Sequence, residues 1–160
     1  MKKIYLILIV TLFNLNLFSQ LRDLGAPKIL VGMGEDYVLK YFNELNSLSS
    51  NSAYRIEKEY NNEGNLTYKV EFAMAEEKYY NCLSMDASFR KGKDGLICES
   101  QSLFFTNVSA DANVNQLNKV FTKYKSNEWR FDYNSKIYIE AQFFKVESSY
   151  GILYIFRPKD

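Results

Sequence analysis

The chain has 160 residues, with 20 basic and 19 acidic side chains, 13 Tyr, 12 Phe and no His. A formal net charge of +1 gives no electrostatic case for nucleic-acid binding. Without imidazole, the commonest general base and metal ligand of hydrolytic enzymes is missing, so composition argues against catalysis and points to no cofactor or metal.

In chain order, Lys2 and Lys3 precede an apolar run from Ile4 to Phe13, and Leu17-Phe18-Ser19-Gln20 closes the segment. This pattern predicts a secretory signal peptide over residues 1–19, because an apolar core of about ten residues falls short of the roughly 20 that span a bilayer. No cysteine stands at the boundary for lipid attachment. The mature chain, 160 − 19 = 141 residues, is therefore expected to be exported, periplasmic or extracellular, with no stable membrane anchor. It suits a single domain spanning 20–160. Subtracting the two signal lysines leaves 18 basic against 19 acidic groups.

From Glu35 to Leu48 the apolar residues Val38, Tyr41/Phe42, Leu45 and Leu48 recur at steps of three and four, which predicts a helix with one buried stripe. Glu35 and Asp36 favour its N-terminal dipole. The Ser/Asn cluster from Asn46 to Ser52 ends it. Residues 53–60 then alternate, Asn61 to Asn65 reads as a hairpin connector, and Leu66, Tyr68, Val70, Phe72 and Met74 make a clear amphipathic strand. A third strand over Tyr80–Phe89 places Leu83, Met85, Ala87 and Phe89 on one side and Cys82, Ser84, Asp86 and Ser88 on the other. After a turn at Arg90–Gly95, a fourth strand covers Leu96–Phe105.

Near Ala110 or Ala112 a second helix begins, capped by Ser109 or Asp111, with the buried stripe Val114, Leu117, Val120/Phe121 and Tyr124. Three extended segments follow: Trp129–Tyr133, Lys136–Val146 and Tyr150–Phe156, the first two joined by a tight turn at Asn134-Ser135. The halves 35–89 and 110–157 both read as helix, strand, strand, strand. The expected fold is α+β, an antiparallel sheet with two helices on one face, whether the halves are two α-β-β-β units in tandem or match only by chance.

The segment Val31-Gly32-Met33-Gly34-Glu35-Asp36-Tyr37-Val38, a small residue before a short helix and then a meander, resembles exported α+β modules of the outer-membrane assembly lipoprotein type. In tandem, such units resemble the beta-lactamase-inhibitor protein architecture. The later run with Cys98, Leu117 to Phe121, Asn127-Glu128-Trp129 and Lys136-Ile137-Tyr138 also resembles uncharacterised exported proteins that combine these elements. The resemblance implies protein binding in place of chemistry. It transfers no functional residue, and the missing lipidation cysteine departs from the lipoprotein type.

Cys82 and Cys98 could form a disulfide in an oxidising compartment or pack as two free buried thiols. A register with Cys98 opposite Ala87 sets the two about 16 Å apart along the strands, beyond the roughly 7 Å that a bridge tolerates. A carboxylate enzyme would draw on Asp86, Glu99, Glu71 and Glu140, but Glu71 and Glu140 sit where solvated charges belong. Gly32-Met33-Gly34 lacks the rest of a phosphate cradle. The positive signal is aromatic: the adjacent pairs Tyr79-Tyr80, Phe104-Phe105 and Phe143-Phe144 must send one ring to each side of a strand. Tyr79, Tyr138 and Phe144 are thus candidate interface aromatics, and another protein is the expected partner. The competing expectation is a carbohydrate or lipid held by the same aromatic sheet face.

Overall fold

Alternation at period two along most of the extended segments favours a sheet with one greasy and one wetter face, and the computed structural model, which describes residues 28–48, 55–60, 64–76, 82–106 and 110–159, has that form. Helix α1 (Glu35–Leu48) is followed by β1 (Arg55–Tyr60), β2 (Leu66–Glu76), β3 (Cys82–Gly92) and β4 (Gly95–Thr106). Helix α2 (Ala110–Val120) then precedes β5 (Thr122–Lys125), β6 (Glu128–Asp132), β7 (Ile137–Val146) and β8 (Ser149–Pro158). All eight strands join one sheet in the order β1-β2-β3-β4-β8-β7-β6-β5, and every pairing is antiparallel. The fold is α+β.

Read from either edge, the order is the same: a unit of one helix and four strands, with the last strand of each unit at the centre. Strands β4 and β8 meet there with Leu103 opposite Ile152 and Phe105 opposite Tyr150. An antiparallel central pair flanked in this way is what a two-fold axis normal to the sheet would generate. Each unit therefore has four strands where the sequence reading gives three, and the first runs on to Thr106.

Both helices lie on one face. Helix α1 buries Val38, Tyr41, Phe42 and Leu45, and α2 buries Leu117. They meet Leu66, Tyr68, Val70, Met85, Ala87, Phe89, Leu103, Phe105, Trp129, Ile139, Ala141, Tyr150, Ile152 and Tyr154 in a single core. Each fully buried large side chain contributes roughly 1.5–3 kcal/mol. Aromatic pairs add directional packing: Phe105 stacks on Tyr150 at 5.4 Å, and Tyr68 meets Phe89 edge-on at 5.7 Å.

Four details depart from the sequence reading. The second helix stops at Val120, where Phe121 N–H closes on Leu117 C=O at 2.8 Å, and the next four residues form β5, so Tyr124 is 53% exposed instead of buried. Strand β3 continues to Gly92, opposite Gly95, leaving the two-residue turn Lys93-Asp94. A register shift between Cys82 and Ser84 turns Cys82 into the core and Leu83 outward, reversing their expected sides. The short turn sets Phe89, not Ala87, opposite Cys98, and a second register shift follows between Ser88 and Phe89.

The segment before α1 is strapped to the helix side of the sheet. Ile29, Leu30 and Val31 are buried, Gly32 N–H donates to Cys98 C=O at 2.8 Å and Cys98 N–H donates to Met33 C=O at 2.8 Å. Gly32 turns the strap at φ +83°, where a Cβ would come within 3.0 Å of the Phe156 ring. Gln101 locks the strap: fully buried, it accepts from Leu30 N–H at 2.8 Å and donates to Lys28 C=O at 2.9 Å. Gln101→Leu strips two backbone groups of their partners and is expected to cost about 2–3 kcal/mol. A urea-unfolding midpoint that does not move would refute this role.

Candidate functional site

The face opposite the helices is the candidate site. Register fixes its membership. Ser88, Ser100, Ile155, Glu140 and Arg130 follow one another across β3, β4, β8, β7 and β6. The next row runs Lys69, Asp86, Ser102, Leu153 and Gln142, and a third runs Glu71, Ser84, Phe104, Gly151 and Phe144. Phe104, Phe144, Leu153, Ile155 and Tyr138 are all partly exposed. Among the described residues no element packs over them, since both helices contact the other face.

Two of the three candidate interface aromatics, Tyr138 and Phe144, stand on this face, with the same parity along β7 as Glu140 and Gln142. Tyr79 lies outside the described residues. The adjacent pairs divide as strand geometry requires: Phe105 and Phe143 pack on Tyr150 in the core, while Phe104 and Phe144 meet edge-on across the open face at 5.9 Å. Gly151 makes room for this pair. A Cβ there would stand 2.3 Å from the Phe144 ring, so the ring lies directly on bare backbone.

At the other end of the face, Arg130 is clasped between two tyrosines. Its guanidinium carbon lies 3.6 Å from the Tyr124 ring centroid and 4.8 Å from that of Tyr138, a cation–π arrangement on both sides. Behind it, Glu140 is only 7% exposed, which corrects its expected place among solvated charges. Glu140 is held by Gln142 Nε2, which donates at 2.5 Å, and by Arg130 at 3.9 Å. Arg130 Nε has no hydrogen-bond partner among the described residues.

The third region is acidic. Lys69 pairs with Glu59 at 2.7 Å and stands opposite both Glu57 and Asp86, with Glu71 two residues along β2. Burial raises the Asp86 carboxyl above the usual range; Lys69 opposes that shift, and Glu59 and Glu71 add to it. The four carboxylates considered for catalysis are dispersed. Asp86 and Glu71 are near neighbours, Glu99 pairs with Arg90 at 3.2 Å, and Glu140 lies three strands from Asp86, roughly 14 Å at normal strand spacing. Among the described residues no group of His, Cys, Asp and Glu is placed to hold a metal ion.

The two cysteines are free and buried, so the disulfide between Cys82 and Cys98 that the sequence leaves open is not formed. Register explains why: Cys98 pairs with Phe89 and Cys82 with Phe105. The seven-residue offset (89 − 82) corresponds to about 23 Å along the strand. Burial pushes both thiols up from 9.0 to about 12, which removes nucleophilic thiolate at neutral pH. Because the folded chain keeps the neutral thiols while the unfolded chain ionises them from about pH 9, their stabilising contribution is full below pH 9. It is lost as pH rises towards about 12. Urea unfolding at about pH 8 and about pH 10 should show a loss on the order of 1 kcal/mol per thiol. A Cys82→Ala, Cys98→Ala chain should show a flatter alkaline slope, and an unchanged slope would contradict the assignment.

Comparison with known proteins finds no matching family model, no matching curated protein and no matching solved structure.

Proposed function

We propose that the chain is an exported, non-enzymatic module that binds another protein across the open face of its sheet, in the manner of an inhibitor or envelope interaction protein. The observation that carries this reading is the Tyr124-Arg130-Tyr138 clasp beside an apolar strip of Leu153, Ile155, Phe104 and Phe144 over which no other described element packs. Tyrosine and arginine dominate the energetic centres of protein interfaces. A ring-clasped guanidinium is already ordered, so it loses little side-chain entropy on docking. Apolar area left uncovered on a sheet is the usual mark of an interaction surface.

The acidic flank gives the partner's chemistry. A carboxyl held partly out of water at Asp86, with Glu59 and Glu71 beside it, is stabilised as an anion by a lysine or arginine brought from outside. The partner therefore has an apolar centre with a basic side chain at the end that meets β2 and β3. The resemblance to beta-lactamase-inhibitor proteins points the same way. The open surface also suits a macromolecule better than a small ligand, which is normally enclosed in a cavity.

The test is affinity capture from an envelope extract of the source cells with the purified chain kept reduced, followed by titration of the retained species. One protein that binds stoichiometrically supports the reading. Recovery of glycan or lipid without protein overturns it.

A further inference from the structure

One cleft lies off the open face, on the helix side of the sheet, where the β1–β2 hairpin and the β3–β4 turn approach the first turn of α1. Its volume is about 440 Å³, within the range of small-molecule sites. The floor is apolar, made by Leu66, Phe89 and Leu96, and Tyr60, 64% exposed, forms the outer wall. Lys58 and Lys91 reach the rim from different strands, and Glu35 reaches it from α1.

Among the described residues, the charges lining this cleft are not balanced. The Glu35 carboxylate already accepts the Tyr68 hydroxyl at 2.6 Å. The Lys58 ammonium stands 5.7 Å from each of the Tyr60 and Tyr68 ring centroids and has no ion pair among the described residues. Lys91 has no ion pair among the described residues. Two ammonium groups thus flank an apolar floor with one carboxylate already engaged. Gly64 and Gly95 line the mouth, and a Cβ at either would meet no atom of the described residues within 4 Å.

We infer that this cleft binds a small monoanionic amphiphile. Its carboxylate or equivalent head group sits between Lys58 and Lys91, and its aliphatic or aromatic body lies on Leu66, Phe89 and Leu96. Ion pairing to two lysines fixes the head, and burial of the body supplies the rest of the affinity. The site is independent of the open sheet face, so its failure leaves the protein-docking proposal standing.

Decanoate below its micellar concentration is the probe, titrated into the purified chain and followed by amide chemical shifts. Saturable shifts clustered at Gly64, Asn65, Gly95 and Leu96 are expected. Both lysines are exposed, so a Lys58→Glu, Lys91→Glu chain should keep its far-ultraviolet circular dichroism while its Kd for decanoate rises at least ten-fold. Absence of saturable shifts, equal affinity for decyltrimethylammonium, or an unchanged Kd in the double variant would each overturn the assignment. Preferential binding of zwitterionic phenylalanine would overturn the monoanionic head, and attachment to phosphatidylglycerol vesicles without decanoate binding would overturn the single-molecule site.

Discussion

Trp129→Ala should lower the unfolding free energy by about 3–5 kcal/mol, the usual cost of removing a buried tryptophan. That is a large share of the roughly 5–15 kcal/mol that holds a domain folded. Trp129 is 1% exposed, and its indole N–H donates to Asn118 Oδ1 at 2.8 Å, so one side chain fastens α2 to β6. The Lys123 ammonium stands 5.6 Å from its ring. Trp129→Phe keeps most of the packing and loses the hydrogen bond, whereas Asn118→Ala removes only the acceptor and should cost about 1 kcal/mol. Because this is the only tryptophan, unfolding is best followed by circular dichroism. A change below about 1 kcal/mol for Trp129→Ala would show that the second helix is held by other contacts.

Tyr138→Ala should weaken binding of the protein partner by a factor of roughly 30 or more, the effect of losing an interface anchor. Tyr138 is partly exposed and contacts Arg130 from one side only, so the fold should lose less than about 1 kcal/mol. Arg130→Ala should weaken binding as strongly but also carry a folding cost, because it leaves the nearly buried Glu140 with Gln142 alone. Adding Glu140→Gln to Arg130→Ala should restore stability without restoring affinity. Titration calorimetry and denaturant unfolding on the same four chains separate the two effects. Equal losses of stability and affinity across them would mean that the clasp only supports the sheet.

Much of this architecture is legible in the sequence, because period and burial coincide. The three- and four-residue spacing of Val38, Tyr41/Phe42 and Leu45 forms α1, and strict alternation from Leu66 to Phe72 forms the helix-facing side of β2. The division of Phe104 from Phe105 and of Phe143 from Phe144 follows from strand geometry alone. Strand β5 is hidden because Tyr124 continues the helical spacing of Leu117 and Phe121. Local periodicity cannot register that Thr122 and Lys123 pair with Arg130 and Trp129. Single-residue register shifts at Cys82 and Ser88 are equally silent in composition, yet they decide which side chains reach the core.

The candidate site is legible only in part. Tyr138 and Phe144 are visible as outward aromatics, but the clasp is not, because Tyr124, Arg130 and Tyr138 come from three strands whose pairing is tertiary. Glu140 reads as a solvated charge until Arg130 and Gln142 are placed beside it. Gln101 carries no local signal either. Its role depends on Lys28 and Leu30, 73 and 71 residues away.

Docking across the open sheet face is tested most directly by reversing polarity on each face in turn and measuring affinity for the captured partner. Leu153→Asp places a charge in the middle of the open face, while Lys40→Glu alters the exposed surface of α1. Docking on the open face requires that Leu153→Asp abolish measurable binding in a chain that still folds, and that Lys40→Glu leave the Kd within about two-fold of the original. Retained affinity in Leu153→Asp, or loss confined to Lys40→Glu, would contradict it.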